Sequence, residues 1–220
     1  MAAASRWATG SVRPAEHIPP LHAVTDDRVV ASPGFADRAG EVLAAGGDRI
    51  ALHLRAPAAT GRMMHDLAVW LGEMASAAGA LLLVNDRVDV AMAAGAHGIQ
   101  LGRRSLAVPD ARRLVGDRLI GASVHDADEA RAAIDGGADF LLAGAVYPTA
   151  THPGEAAAGV GVIERVTALG RPVIAIGGVT PGRVGELRWA GAAGVAAIRG
   201  IWDDPSPGEA VQRYLDTWQS

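Results

Sequence analysis

Arg171-Pro172-Val173-Ile174-Ala175-Ile176-Gly177-Gly178-Val179-Thr180 decides the fold. Four apolar, partly β-branched residues run into a glycine pair and then Thr-Pro, the pattern of a strand buried on both faces that ends in a backbone-exposing turn before a helix start. Two glycines let amide N–H groups point at an anion with no Cβ in the way, and a helix start adds its positive end. In (β/α)8 barrels the loops after the seventh and eighth strands often build a phosphate site. The stretch therefore predicts six strand–helix units before it and one after it.

The rest of the chain supplies them. Leu21 to Thr25 reads as the first strand, and Phe35 to Ala45 as its helix, stopped by Gly46-Gly47. Arg49 to Arg55 is the second strand, followed by a helix from Arg62 to Ala78 that Gly79 ends. Ala80 to Val84, Gly98 to Leu101, Leu119 to Val124 and Phe140 to Ala143 are the next four, with Pro109 opening one helix and Ala127 to Asp135 forming another. The longest loop, Gly144 to Gly161, leads to the glycine-pair strand; Gly194 to Ile198 is the eighth, and Ser206 to Trp218 closes the chain. Eight units at a period of about 25 residues predict a single (β/α)8 TIM barrel over residues 19–220, with residues 1–18 as a loose, disordered N-terminal extension. A doubly wound open sheet would leave two strand–helix units unaccounted for.

Composition narrows the chemistry. Half of the 220 residues are hydrophobic but only 4% are aromatic, so the core is aliphatic. The net charge of −4 and pI near 5.9 supply no basic field for a polyanion, and no nucleic-acid partner is expected. The absence of cysteine excludes thiolate nucleophiles, disulfides and Cys-ligated zinc. All 20 basic residues are arginine, which excludes Schiff-base lysine chemistry. No stretch resembles a signal peptide or an uninterrupted apolar run of about 18 residues, so the expectation is a cytoplasmic protein with no membrane partner. Trp189, Trp202 and Trp218 leave two readings open, a homo-oligomer contact or packing within the chain.

Barrel chemistry sits at the carboxyl ends of the strands, which selects Thr25, His53, Arg55, Asn85, Asp86, Gln100, Ser123, His125, Thr149, Thr151, Gly177, Gly178 and Arg199. His125, atop the fifth strand, is the sharpest candidate, since an imidazole can both accept and return a proton; capping the next helix is the alternative. His53 alternates with Leu52 and Leu54, so it points inward if the leucines face the helices, either as packing or as chemistry. His22 reads as structural. The Gly177-Gly178 turn, the Ile198-Arg199-Gly200 turn and Thr149/Thr151 would supply amides, a cation and hydroxyls to a phosphate. No spacing indicates a metal cluster.

Leu21-His22-Ala23-Val24-Thr25, Asn85-Asp86-Arg87-Val88-Asp89, Gly121-Ala122-Ser123-Val124-His125, Gly144-Ala145-Val146-Tyr147-Pro148-Thr149 and Ile176-Gly177-Gly178-Val179-Thr180 together resemble the thiamine-phosphate synthase and thiazole tautomerase (TenI-like) superfamily over residues 20–215. The resemblance implies a phosphorylated thiazole as the small-molecule partner. Synthases of this superfamily join it to an aminopyrimidine pyrophosphate, with Mg2+ held by two aspartates and lysines gripping the pyrophosphate. Here His53-Leu54-Arg55-Ala56-Pro57 replaces a lysine-bearing string, Ser105 stands at an acidic position and His152 stands at a lysine position; of the metal pair only Asp86 survives. The His53/Arg55 string and Gln100 resemble the tautomerase branch, an isomerase that aromatises a carboxythiazole phosphate by moving a proton without a cofactor.

By resemblance His125 is the acid/base; Arg55 is the candidate for the substrate carboxylate, since its fork meets a carboxylate bidentately, Asn85 and Gln100 would orient the ring, and His53 and Ser123 are further substrate-binding candidates. Phosphate falls to Thr149, Thr151, Gly177, Gly178, Ile198 and Arg199. The expectation is a metal-free thiazole tautomerase of thiamin biosynthesis, on the ground that too little positive charge and too few carboxylates remain near the pocket for a diphosphate. The alternatives are a thiamine-phosphate synthase, in which Mg2+ would sit on Asp86 and Arg55, Arg103 or Arg104 would replace lysine, and a non-catalytic phosphate-binding or regulatory barrel.

Overall fold

The structure, a computed structural model, describes residues 18–149 and 157–220. The extension read over residues 1–18 lies almost wholly outside the described residues. Eight parallel strands pair in chain order and close on themselves: β1 (Leu21–Val24), β2 (Ile50–Leu54), β3 (Leu81–Asn85), β4 (Gly98–Leu101), β5 (Leu119–Val124), β6 (Phe140–Ala143), β7 (Val173–Ile176) and β8 (Gly194–Ala197). The expected TIM barrel is present.

The connecting helices are α1 (Asp27–Val30), α2 (Phe35–Gly46), α3 (Gly61–Ala78), α4 (Val88–Ala93), α5 (Val108–Val115), α6 (Ala127–Asp135), α7 (Gly161–Thr167), α8 (Val184–Trp189), α9 (Arg199–Trp202) and α10 (Pro207–Gln219). Their ends follow local chemistry. Thr60 caps α3 by accepting from the Met63 amide, and Gly79 ends it at φ 76°, a conformation that costs a side-chain-bearing residue energy. α1 and α9 have four residues each, too short for apolar periodicity to register, and neither follows from the pattern. Trp202, the last residue of α9, is buried, packs 5.7 Å from Phe35 and donates Nε1–H to the Val24 carbonyl. It therefore fastens the end of β8 over the end of β1. Trp189, by contrast, is 94% exposed.

Strand alternation divides the core in two. Leu52 and Leu54 belong to the large cluster between barrel and helices, whereas Val24, Ala51, Leu83, Phe140, Leu142 and Ile174 fill the interior. His22 and His53 occupy inward positions of the same strands and are fully buried. At the opposite end from the site, Asp139 accepts from Arg112 at 2.5 Å and from the Ile120 amide at 2.8 Å, which satisfies its buried charge.

Gly121 gives Gln100 its place. The two are register partners on β4 and β5, and a Cβ at 121 would land on Gln100 Oε1 and the Phe140 ring. Overpacking of this kind costs about 1–3 kcal/mol. Gly121→Ala should lower unfolding stability by that amount in urea titration; an unchanged midpoint would mean that the interior has slack which the packing does not indicate.

Candidate active site

A cavity of about 910 Å³ opens at the carboxyl ends of the strands. Val24, Leu142, Ile176 and Ala196 give it an apolar floor, and the turns after the strands give it a polar rim. Of the residues expected at the site, Arg55, Asn85, Ser123, His125, Thr149, Gly177, Gly178, Ile198 and Arg199 line it. Thr151 and His152 lie outside the described residues. His53 and Gln100 do not line the cavity; both are fully buried beneath it.

His125 is set by the start of α6. Asp126 caps that helix by accepting from the Asp128 and Glu129 amides, and Glu129 turns back, its Oε2 2.9 Å from the His125 amide and 2.8 Å from His125 Nδ1. A carboxylate can only accept, so Nδ1 carries the proton and Nε2 is left with its lone pair for chemistry. Burial opposes ionisation of Glu129, but its hydrogen bonds with His125 and the charge of Arg103 hold its carboxyl below the usual range. Glu129 did not stand out as a site residue, although Asp126-x-x-Glu129 has the spacing of a capping box.

The corner between β7 and β8 exposes backbone amides at two glycines held in the left-handed region. Gly177 and Gly178 take φ of 99° and 62°, and a Cβ on either would meet the loop after β6, Ala145 Cα at 2.6 Å in the first case and the Pro148 carbonyl at 2.7 Å in the second. Their carbonyls are engaged, Gly177 by the Tyr147 amide at 3.0 Å and Gly178 by Arg183 at 2.6 Å. The amides of Gly177, Gly178, Ile198 and Arg199 have no acceptor among the described residues. Arg183 also stacks 4.1 Å over the Tyr147 ring, and the Tyr147 hydroxyl donates to Glu186, so one cluster clamps both loops. Burial and the Glu186 carboxylate push the Tyr147 hydroxyl up to about 12.

Charge around the mouth corrects one expectation. Five arginines line the cavity, Arg55, Arg87, Arg103, Arg104 and Arg199, against the carboxylates of Asp86 and Asp203. Positive charge is not scarce there. Arg87 pairs with Asp89 and Arg103 with Glu129, whereas the guanidinium groups of Arg55, Arg104 and Arg199 have no carboxylate partner among the described residues. They come from turns far apart in sequence, so composition alone did not reveal their convergence.

A Mg2+ ion prefers octahedral oxygen ligation and is usually held by one or two carboxylates together with substrate phosphate oxygens; the carboxylates that line this cavity are Asp86 and Asp203. Asp86, held at φ 63°, spends Oδ1 on the Gly102 amide at 3.1 Å and on the Ser105 hydroxyl. Where the resemblance places a second acid stands that serine. Among the described residues no group of three or more His, Asp or Glu side chains is arranged to hold a metal.

Thr25 is also displaced from the site: its hydroxyl ties β1 to β2 through the Arg55 backbone at 2.9 and 3.0 Å. Beneath the floor, burial lowers His22 well below 6.5, helped by the neighbouring His53. Burial takes His53 to about 4 against an opposing contact from Asn85, and it also lowers His97. The unfolded chain accepts protons below about pH 6.5 that the folded chain refuses, so stability is full above that pH and falls as pH drops toward 4. For His53 the full shift to about 4 corresponds to about 3 kcal/mol. Urea midpoints should be level above pH 7 and fall between pH 6.5 and 4, less steeply in His53→Gln; a flat profile through that window would contradict the buried neutral rings.

Comparison with known proteins places this geometry. The family model described as thiamine monophosphate synthase (TMP-TENI) matches residues 21–201. The chain belongs to that family. As a member of the TMP-TENI family it is similar to a thiamine biosynthesis bifunctional protein ThiM/ThiE of Symbiobacterium thermophilum, 51% identical over 63% of this chain and 29% of that protein. It is also similar to a thiamine-phosphate synthase of Mycolicibacterium vanbaalenii, 43% identical over 65% of this chain and 66% of the relative. The chain thus matches less than two thirds of the length of each. A solved thiamine phosphate pyrophosphorylase from Pyrococcus furiosus superposes with a TM-score of 0.79 at 29% identity, covering 90% of this chain and 95% of that one. The Mycolicibacterium relative carries the synthase name and the Pyrococcus structure the pyrophosphorylase name; none of the three carries the tautomerase name. Among the described residues no helix is long and apolar enough to cross a membrane.

Proposed function

We propose that this TMP-TENI family member is an enzyme of thiamin biosynthesis that aromatises a carboxythiazole phosphate tautomer by metal-free proton transfer. The observation that carries the reading is His125: its Nδ1–H is spent on Glu129 at 2.8 Å, and it lines the cavity. Nε2 takes the ring proton, the released electron pair closes the aromatic ring, and the exocyclic double bond collects a proton from the same nitrogen. Atoms and charge balance, and no oxidant, metal or leaving group takes part. Arg55, with its guanidinium unpaired among the described residues, receives the carboxylate as a planar fork. The open amides of Gly177, Gly178, Ile198 and Arg199, with the Arg199 side chain and Thr149, receive the phosphate.

A second reading, thiamine-phosphate synthase, is favoured by the names of the relatives and by the five arginines at the mouth, which suit a diphosphate. Against it stand the absence of lysine and the lone Asp86, already engaged by Ser105. Both readings place a phosphorylated thiazole in the same cavity, and no cofactor is proposed for the first.

Purified protein in EDTA should convert the tautomer to its aromatic form, monitored by ultraviolet absorbance. His125→Ala should lose about a hundred- to ten-thousandfold in rate, the usual weight of positioned acid–base catalysis. Glu129→Gln should lose less, because its amide oxygen can still accept from Nδ1. Full activity in His125→Ala, or loss of activity on chelation, would overturn the assignment.

A further inference from the structure

Below the cavity floor runs a chain of polar groups that the proposed proton transfer does not use. His22 and His53 face each other with Nδ1 of the first 2.7 Å from Nε2 of the second. At the outer end, His22 Nε2 lies 3.1 Å from the Pro19 carbonyl. At the inner end, the Asn85 side chain neighbours His53, and His53 Nδ1 and Asn85 Oδ1 are both buried without a partner among the described residues.

Counting protons resolves this. Both rings are fully buried and their depressed basicity keeps the pair neutral, so two imidazoles share two N–H groups for three contacts. The Pro19 carbonyl can only accept, which assigns one N–H to His22 Nε2 and leaves His22 Nδ1 bare. The second must then sit on His53 Nε2 to fill the contact between the rings. His53 Nδ1 is therefore a lone pair. Amide oxygen and nitrogen are distinguished by their hydrogen bonds, and turning the Asn85 amide over puts its N–H on that lone pair. One rotation converts two unpartnered buried acceptors into a single hydrogen bond, removing a cost of about 1–3 kcal/mol for each buried group left unsatisfied.

We propose that His22 is a positioning residue: through His53 it fixes the direction of the Asn85 amide, so that Asn85 offers the cavity its carbonyl oxygen rather than its N–H. A bare ring nitrogen, which can only accept, is repelled from Asn85 and left to Ser123. That hydroxyl is free to donate, because its oxygen already accepts from Gln100 Nε2 at 3.1 Å, and Gln100 is oriented in turn by the Leu101 carbonyl at 3.4 Å. The placement of a thiazole ring rests on the function proposed above; the relay itself does not.

Long-range 15N–1H spectra of the ligand-free protein test the relay. Both histidines should appear as neutral Nε2–H tautomers, with a scalar coupling across the hydrogen bond from Asn85 Nδ2 to His53 Nδ1. His22→Gln, whose amide can donate to Pro19 and accept from His53, should preserve the His53 tautomer, whereas His22→Leu should give a mixture. Finding His53 as the Nδ1–H form in the unmodified protein, or an unaltered tautomer in His22→Leu, would overturn the relay. In titrations with thiazole phosphate, His22→Leu and Ser123→Ala should each weaken binding severalfold, with His22→Gln unchanged. Equal binding by all four proteins would overturn the ring placement; no binding by any would count against the proposed function while the spectra still decide the relay.

Discussion

A closed parallel barrel has no sheet edge and little slack inside, so each inward side chain must fill space and each inward polar atom must find a partner. The rest of the structure depends on how that constraint is met. Aliphatic residues fill most of the interior; of the polar side chains that remain, His22 is bonded to His53 and Gln100 Nε2 to Ser123, while Gln100 Oε1 is buried with no partner among the described residues. The floor is thereby held by fully buried groups that do not line the cavity.

The rim is where this chain departs from the pattern its family resemblance implies. The glycine turn after β7 has amides with no acceptor among the described residues and is braced by Arg183, Tyr147 and Glu186. Around Asp86 the chemistry differs, because a hydroxyl stands beside its carboxylate where the resemblance places a second acid. Cations converge on the mouth, but all are guanidinium groups that stay charged and suit planar carboxylates and phosphates. The function proposed above uses the glycine corner for the substrate phosphate and asks nothing of the corner around Asp86.

Much of the barrel was legible because its signals are local. Strand runs such as Val173 to Ile176 and glycine stops such as Gly79 act over a few residues, and both appear where expected. The fold then placed His125, Asn85, Ser123, Gly177 and Arg199 around one cavity through the general rule that barrel strands carry their chemistry at the carboxyl end. What escaped depends on distance in the chain. His22 and His53 are 31 residues apart, and nothing in either neighbourhood announces their contact. The arginine ring escaped for the same reason: net charge is a sum over the chain, whereas the cavity gathers five cations from loops after β2, β3, β4 and β8. Alternation put His53 inside the barrel, but it could not tell the mouth from the layer beneath it.

In the function proposed above this site moves a proton and expels no diphosphate. The most direct test supplies the purified protein with aminopyrimidine pyrophosphate, thiazole phosphate and excess Mg2+ and follows inorganic pyrophosphate by a coupled assay. The account predicts no release above the protein-free control, from the same preparation that aromatises the carboxythiazole tautomer. Sustained Mg2+-dependent release at many turnovers per protein would contradict it.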